Sequence, residues 1–270
     1  MDDLLLRLGV FALVGLGAGY ASGLFGVGGG IIRIPVFVYL LPLFGVAHPV
    51  LMHMAIGTSI SLVIPTSIVA TWRQSEAGNL DWSYYRTWAV GIFIGVVAGL
   101  LLLPMCSTEA LKVIFIVFLT SVGIYVGFVR DDLVLSERLP SGALKVAIAA
   151  VIGCFAALTG TAGGTFTTPT MKAFSMPLKR AIALASATGV VTGVAATAGA
   201  VIEGWNAVGR PTHSMGFVDL GIFAAMVPTT FAGAALGVRS ANSLDKAMLQ
   251  RSYTIVLFAM AADMIRGMLG

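Results

Sequence analysis

Shifted against itself by 134 residues, this chain matches its own second half. Gly19 falls on Gly153, Gly26 on Gly160, Gly29 on Gly163, Gly30 on Gly164 and Pro35 on Pro169 without a gap, and Gly23 falls on Ala157. After a slip of four residues, Ala55 and Thr58 fall on Ala185 and Thr188. Further on, Gly78, Asp81, Gly95 and Gly99 fall on Gly216, Asp219, Gly233 and Gly237 at a constant offset of 138. Glycines alone coincide easily in a chain that holds 33 of them; glycine, proline, threonine and aspartate in one order do not. Such a chain is expected to fold as two copies of one unit, residues 1–135 and 136–270, packed against each other. The polar stretch 130–142 (RDDLVLSERLPSG) joins them.

Each copy reads as five apolar segments: about 4–22, 31–45, 50–72, 84–104 and 109–129, then 144–160, 165–176, 181–203, 217–239 and 245–268. Here composition decides the class. With 58% hydrophobic and only 10% charged residues, 270 residues cannot hide their apolar surface from water in a soluble fold. A bilayer removes the need, and the length has room for eight to ten membrane segments at roughly 20 residues each. The expectation is an all-α polytopic membrane protein in two repeats with broken helices. A soluble enzyme and a large extramembrane domain are excluded. The net charge of +4 sits in scattered loop residues, with no basic block for nucleic acid. Cys106 and Cys154 have no metal or redox spacing and read as small packing residues. Leu4–Tyr20 follows Asp2 and Asp3 rather than a basic stretch, so it reads as a first helix and not a cleaved leader.

Five segments per copy is an odd number, so the second copy should sit inverted, whether the short second segments span or form re-entrant hairpins. Loops on one face hold Arg73, Arg130, Arg138, Lys145, Lys179, Arg180, Arg239 and Lys246; the other face holds Arg7, Lys112, Arg210 and Arg266. The excess places the first face in the cytoplasm and both termini outside, in the cytoplasmic (inner) membrane. Trp72, Trp82 and Trp88 read as an aromatic belt, Pro65 and Pro228 as kinks, and Asp81 and Asp219 as helix caps. Gly95 and Gly99, with Gly233 and Gly237, read as close helix crossings.

The chemistry is expected at the duplicated breaks. Ser22-Gly-Leu-Phe-Gly26-Val-Gly28-Gly29-Gly30 and Thr159-Gly160-Thr161-Ala-Gly163-Gly164-Thr165 cannot carry a helix well, because each glycine costs about 1 kcal/mol against alanine. Two inverted breaks would bring the N-termini of the following short helices together near the midplane, where free N–H groups and positive dipole ends suit an anion. Arg33, just past the first break, is a charge inside an apolar segment and a candidate counter-ion; its matched position is the neutral Thr167. Snorkelling to an interface is the alternative. Thr58, Ser59 and Thr188 in the third segments, with Thr161 and Thr165 at the second break, offer neutral hydroxyls to complete the pocket. Bonds back to their own helix carbonyls are the structural alternative. His53 can titrate near physiological pH and is a candidate for proton coupling. No cofactor or nucleotide motif is present: Gly26-Val-Gly-Gly-Gly30 follows no strand and leads to no Walker lysine.

These residues resemble a known family. Ser22–Gly30 with Pro35, Ala55-Ile-Gly-Thr58-Ser59, and Gly160-Thr-Ala-Gly163-Gly164 with Pro169 are similar to the motifs of the sulfite exporter TauE/SafE family of membrane permeases, over about residues 9–268. The second motif is the looser, with Thr161 and Ala162 where the first has Val27 and Gly28. The resemblance implies secondary transport of small sulfur-containing oxyanions or organosulfonates. The expected partners are then the bilayer, a small anionic substrate held by Gly26, Gly28, Gly29, Gly30, Arg33, Gly160, Gly163 and Gly164, and either a proton or a sodium ion for coupling. A passive anion channel would share the same glycine loops. A membrane-embedded enzyme is disfavoured, since no HExxH, GxSxG or paired-carboxylate pattern occurs.

Overall fold

The computed structural model describes residues 2–25, 29–128, 135–241 and 246–269. The first copy folds into α1 (Asp2–Phe25), α2 (Gly30–Leu43), α3 (Leu51–Ser61), α4 (Val63–Glu76), α5 (Trp82–Leu102) and α6 (Thr108–Phe128). The second folds into α7 (Gly142–Thr159), α8 (Gly164–Ala173), α9 (Leu178–Glu203), α10 (Leu220–Ala241) and α11 (Lys246–Leu269). A two-residue antiparallel hairpin, β1 (Ser214–Met215) and β2 (Val218–Asp219), precedes α10. Every expected segment is a helix, which makes the chain an all-α polytopic membrane protein. Among the described residues, six helical runs are long and apolar enough to cross a bilayer: His48–Glu76, Trp82–Met105, Thr108–Gly127, Gly142–Thr159, Leu178–Glu203 and Leu220–Gly237.

The second segments are too short to do so. At 1.5 Å per residue, the 14 residues of α2 and the 10 of α8 reach about 21 and 15 Å, against a hydrocarbon core of about 30 Å. Each doubles back. Arg7 near the start of α1 pairs with Asp219, and Ala47 just after α2 donates to the Gly209 carbonyl in the same loop. The α1–α2 hairpin therefore begins and ends at the Asp219 end of the molecule. The α7–α8 hairpin begins and ends at the opposite end. There Tyr84 of α5 donates to the Pro140 carbonyl and lies under Lys145, while Ser175 donates to the Ser136 carbonyl.

Backbone-to-backbone crossings, made by glycine, join the copies. A Cβ added to Gly19 of α1 would strike the Thr230 carbonyl of α10, and one on Gly233 of α10 would strike the Leu16 carbonyl of α1. On the other side, a Cβ on Gly153 of α7 would strike the Ile92 carbonyl of α5, and one on Gly95 of α5 would strike the Ala150 carbonyl of α7. These four contacts are one pair repeated: Gly19 matches Gly153 and Leu16 matches Ala150 at 134, while Ile92 matches Thr230 and Gly95 matches Gly233 at 138. A Cβ on Gly99 would stand 2.8 Å from the Cys154 carbonyl oxygen, a looser crossing, so the expected close crossings are present at Gly95, Gly99 and Gly233.

The caps also form. The Asp81 side chain accepts from Tyr84 N at 3.0 Å and Asp219 from Ile222 N at 3.0 Å. One reading is corrected: Trp88 is fully buried and donates to Thr188 at 2.9 Å, leaving Trp72 and Trp82 exposed as belt residues. At Pro65 the run His48–Glu76 is interrupted one turn earlier, at Leu62, where proline leaves the helix without its hydrogen bond. Pro228 lies inside α10, Pro35 inside α2 and Pro169 inside α8.

A candidate anion site where the two breaks meet

Helix α7 stops at Gly160, whose φ of +58° belongs to the left-handed region where a side chain is strained. The turn closes on itself, Gly160 N donating to Ala157 O and Thr161 N to Ala156 O. This leaves the Gly160 carbonyl pointing at the other copy. Ser59 of α3 donates to it at 3.0 Å, and a Cβ on Gly30, the first residue of α2, would stand only 2.9 Å from it. The same Cβ would lie 3.1 Å from Thr161 Cα. The first and second glycine breaks are therefore in backbone contact, and Ser59 pins them together. Gly26 and Gly28 lie outside the described residues.

Both short helices start at glycine. Gly29 caps α2 and Gly163 caps α8, and neither helix start receives a side-chain cap. Arg33 rises from the first turn of α2 and folds back over this start. Its Cζ would be 3.5 Å from a Cβ on Gly29. It is 2% exposed, its Nε has no hydrogen-bond partner, and it has no acidic partner among the described residues. A buried guanidinium without a counter-ion is expensive. Snorkelling, the alternative for Arg33, does not occur.

The remaining expected site residues divide. Thr165, in the first turn of α8, has a buried hydroxyl without a partner. The Thr161 hydroxyl pairs with that of Thr159 at 2.9 Å. Gly163 and Gly164 pack on α9: a Cβ on Gly163 would stand 2.8 Å from Thr188 Cγ2, and one on Gly164 3.0 Å from Ala185 O. The Thr188 hydroxyl is engaged twice, accepting from Trp88 and donating to Leu184 O at 2.8 Å. Thr58 is held by the hairpin before α10, accepting from Asp219 N at 3.0 Å. So the structure brings together Gly29, Gly30, Arg33, Ser59, Gly160 and Thr161, while the hydroxyl of Thr58 holds the hairpin before α10 and that of Thr188 holds Trp88 of α5.

His53 lies in α3, 8% exposed, with Nε2 3.2 Å from the Leu103 carbonyl and a buried Nδ1 without a partner. Its ring stacks obliquely on Phe217, 5.2 Å between centroids. Phe217 is a residue that sequence reasoning missed. It belongs to the hairpin loop, its N–H bonds Ala200 O, and its carbonyl meets Gly57. With Phe11, Phe37, Leu41 and Met226 it fills the Asp219 end with a dry apolar cluster. The only sequence signal for this plug was the rise in repeat offset from 130 to 138, an insertion between α9 and α10.

Comparison with known proteins gives the same class. Residues 11–264 match the model of a family described as sulfite exporter TauE/SafE. A probable membrane transporter protein of Haemophilus influenzae is 28% identical over 254 residues, covering 93% of this chain and 96% of the relative. Probable membrane transporter proteins of Methanocaldococcus jannaschii and Bacillus subtilis are 24% and 23% identical, covering 97% and 95% of this chain and 97% and 96% of those relatives. No solved structure matches.

Proposed function

From the premise that this chain belongs to the sulfite exporter TauE/SafE family and is a membrane transporter, we propose that it is a secondary transporter of small anions, sulfur-containing oxyanions or organosulfonates. One observation carries the reading: two glycine breaks from different halves touch beside the buried Arg33 guanidinium, whose Nε is unpaired and which has no acidic partner among the described residues. The site then consists of Arg33 as counter-ion, the uncapped starts of α2 and α8, and the neutral groups around Ser59, Thr161 and Thr165. The choice of sulfur oxyanions rests on the family the chain belongs to, described as sulfite exporters.

In the mechanism we infer, the halves 1–135 and 136–270 are inverted repeats that rock against each other around this site. Support comes from the matched crossings of α1 on α10 and α7 on α5, and from hairpins that enter from opposite ends. A plugged Asp219 end would face outward, with both termini, and the Tyr84 end, which carries Arg138 and Lys145, would face the cytoplasm. His53 is the group through which a proton would couple to the cycle, because its Nδ1 is buried without a hydrogen-bond partner among the described residues.

Counterflow tests this reading. Liposomes holding the purified protein and excess unlabelled methanesulfonate are diluted into a trace of radiolabelled methanesulfonate. A carrier accumulates label transiently against its gradient. Conductance without counterflow would identify a channel instead, and no flux of any sulfur oxyanion would remove the proposed cargo.

A further inference from the structure

The cations of the membrane interior can be accounted for one at a time, and the account is unequal between the halves. Among the described residues, three cationic side chains are buried: Arg33, Lys112 and Lys145. Lys112 is paired with Glu109 at 3.0 Å. Lys145 lies over the Tyr84 ring, 4.2 Å from its centroid, and donates to the Tyr84 carbonyl at 3.4 Å. Both belong to helix ends. Arg7, slightly exposed, is neutralised by Asp219. Lys145 keeps its charge but sits at the start of α7, so the buried cation at the junction is Arg33, with no acidic partner among the described residues.

The matched position in the second copy shows what the site lacks. Arg33 folds over Gly29, the start of α2; Thr167 holds the corresponding place over Gly163, the start of α8. Thr167 is fully buried, and its hydroxyl is closed on the Gly163 carbonyl at 2.9 Å. The first-turn N–H groups are engaged at both starts, Ile32 N and Arg33 N with Gly29 O, and Thr165 N with Ala162 O and Phe166 N and Thr167 N with Gly163 O, so the halves differ at the side chain and not in the backbone. At the second break, Gly160 N and Thr161 N are bonded back to α7. The second copy thus contributes neutral groups and few free donors. All fixed positive charge at the junction comes from one guanidinium.

From this inventory, and resting on the anion-site reading above, we propose that the site takes anions carrying a single negative charge and rejects dianions of the same size and shape. One guanidinium neutralises one charge. A second negative charge would enter a water-poor junction uncompensated, next to the Gly160 carbonyl oxygen that already faces Gly30. The desolvation cost of that extra charge falls entirely on the dianion. The substrate class is therefore a monoanionic oxyanion, such as a sulfonate or a singly protonated oxyacid, whose charged head lies over the start of α2.

An isosteric series tests this on the purified wild-type protein. Sulfate, methanesulfonate and dimethyl sulfone share a tetrahedral sulfur with four substituents and differ in charge by one step each. Titration calorimetry at constant ionic strength should give methanesulfonate roughly tenfold or more tighter than sulfate, with the sulfone not binding. Sulfate binding as well as methanesulfonate would overturn the single-charge inference and leave the anion site standing. Binding of no anion, or of the sulfone equally, would overturn both. Thr167→Arg, if it folds, places a second guanidinium at the matched position and should move the preference toward sulfate. A folded Thr167→Arg protein that keeps the monoanion preference would contradict the charge count; if it does not fold, the wild-type series alone decides.

Discussion

The two halves of this protein share a skeleton and differ in chemistry. Gly19 on α10 and Gly153 on α5 make the same crossing, as do Gly233 on α1 and Gly95 on α7. Where the first copy has Arg7, Arg33 and His53, the second has Ser141, Thr167 and Ala183 at the matched positions. The third segment is broken at Leu62 in one half and continuous as α9 in the other. What duplication preserved is backbone contact, which tolerates no side chain; what diverged is charge. The matched crossings are thus kept in both halves, while the buried Arg33 stands in only one.

The largest expected effect tests the shared skeleton. Gly95→Leu and Gly233→Leu both drive a side chain into a facing carbonyl and should each abolish the folded protein, read as loss of monodisperse material after detergent extraction. If one is tolerated while the other is not, the two crossings are not equivalent. The second effect separates the matched aspartates. Asp219→Ala removes a cap and strands Arg7, and should cost about 3–5 kcal/mol. Asp81→Ala removes a cap alone and should cost about 1 kcal/mol in thermal or denaturant unfolding.

The third contrast is smaller and has the opposite sign. Because Arg33 has no acidic partner among the described residues, Arg33→Met should leave the unliganded protein as stable as before or about 1 kcal/mol more so, while anion binding is lost. Thr167→Val at the matched place should lower stability slightly by leaving its space without a hydroxyl bond, with binding retained. The smallest contrast concerns His53. His53→Gln should abolish accumulation driven by an imposed pH gradient and leave counterflow nearly unchanged; gradient-driven uptake that survives would assign coupling elsewhere.

Much of this was legible in the sequence because its causes are local. Runs of apolar residues fix the helices, Asp81 and Asp219 cap them whatever surrounds them, and glycine runs break helices in any context. Arg33 stood out because a charge inside an apolar segment is costly wherever the chain goes. What could not be read depends on partners distant in the chain. Trp88 carries the same composition signal as Trp72 and Trp82, yet α9 covers it and the Thr188 hydroxyl accepts a hydrogen bond from its indole N–H. The pairing of Arg7 with Asp219 bridges 212 residues. Thr58 and Thr188 matched as a pair, but their hydroxyl partners, the Asp219 backbone and Trp88, come from elements that differ between the halves.

The central claim is that the junction of the two breaks is an anion site whose charge is supplied by Arg33. Its most direct test is the thermal midpoint of the purified protein as methanesulfonate is raised, beside Arg33→Gln under the same conditions. Ligand that binds only the folded state raises the midpoint with concentration. The account predicts a saturable rise in the wild type and none in Arg33→Gln. An equal rise in both would place the anion elsewhere and contradict it.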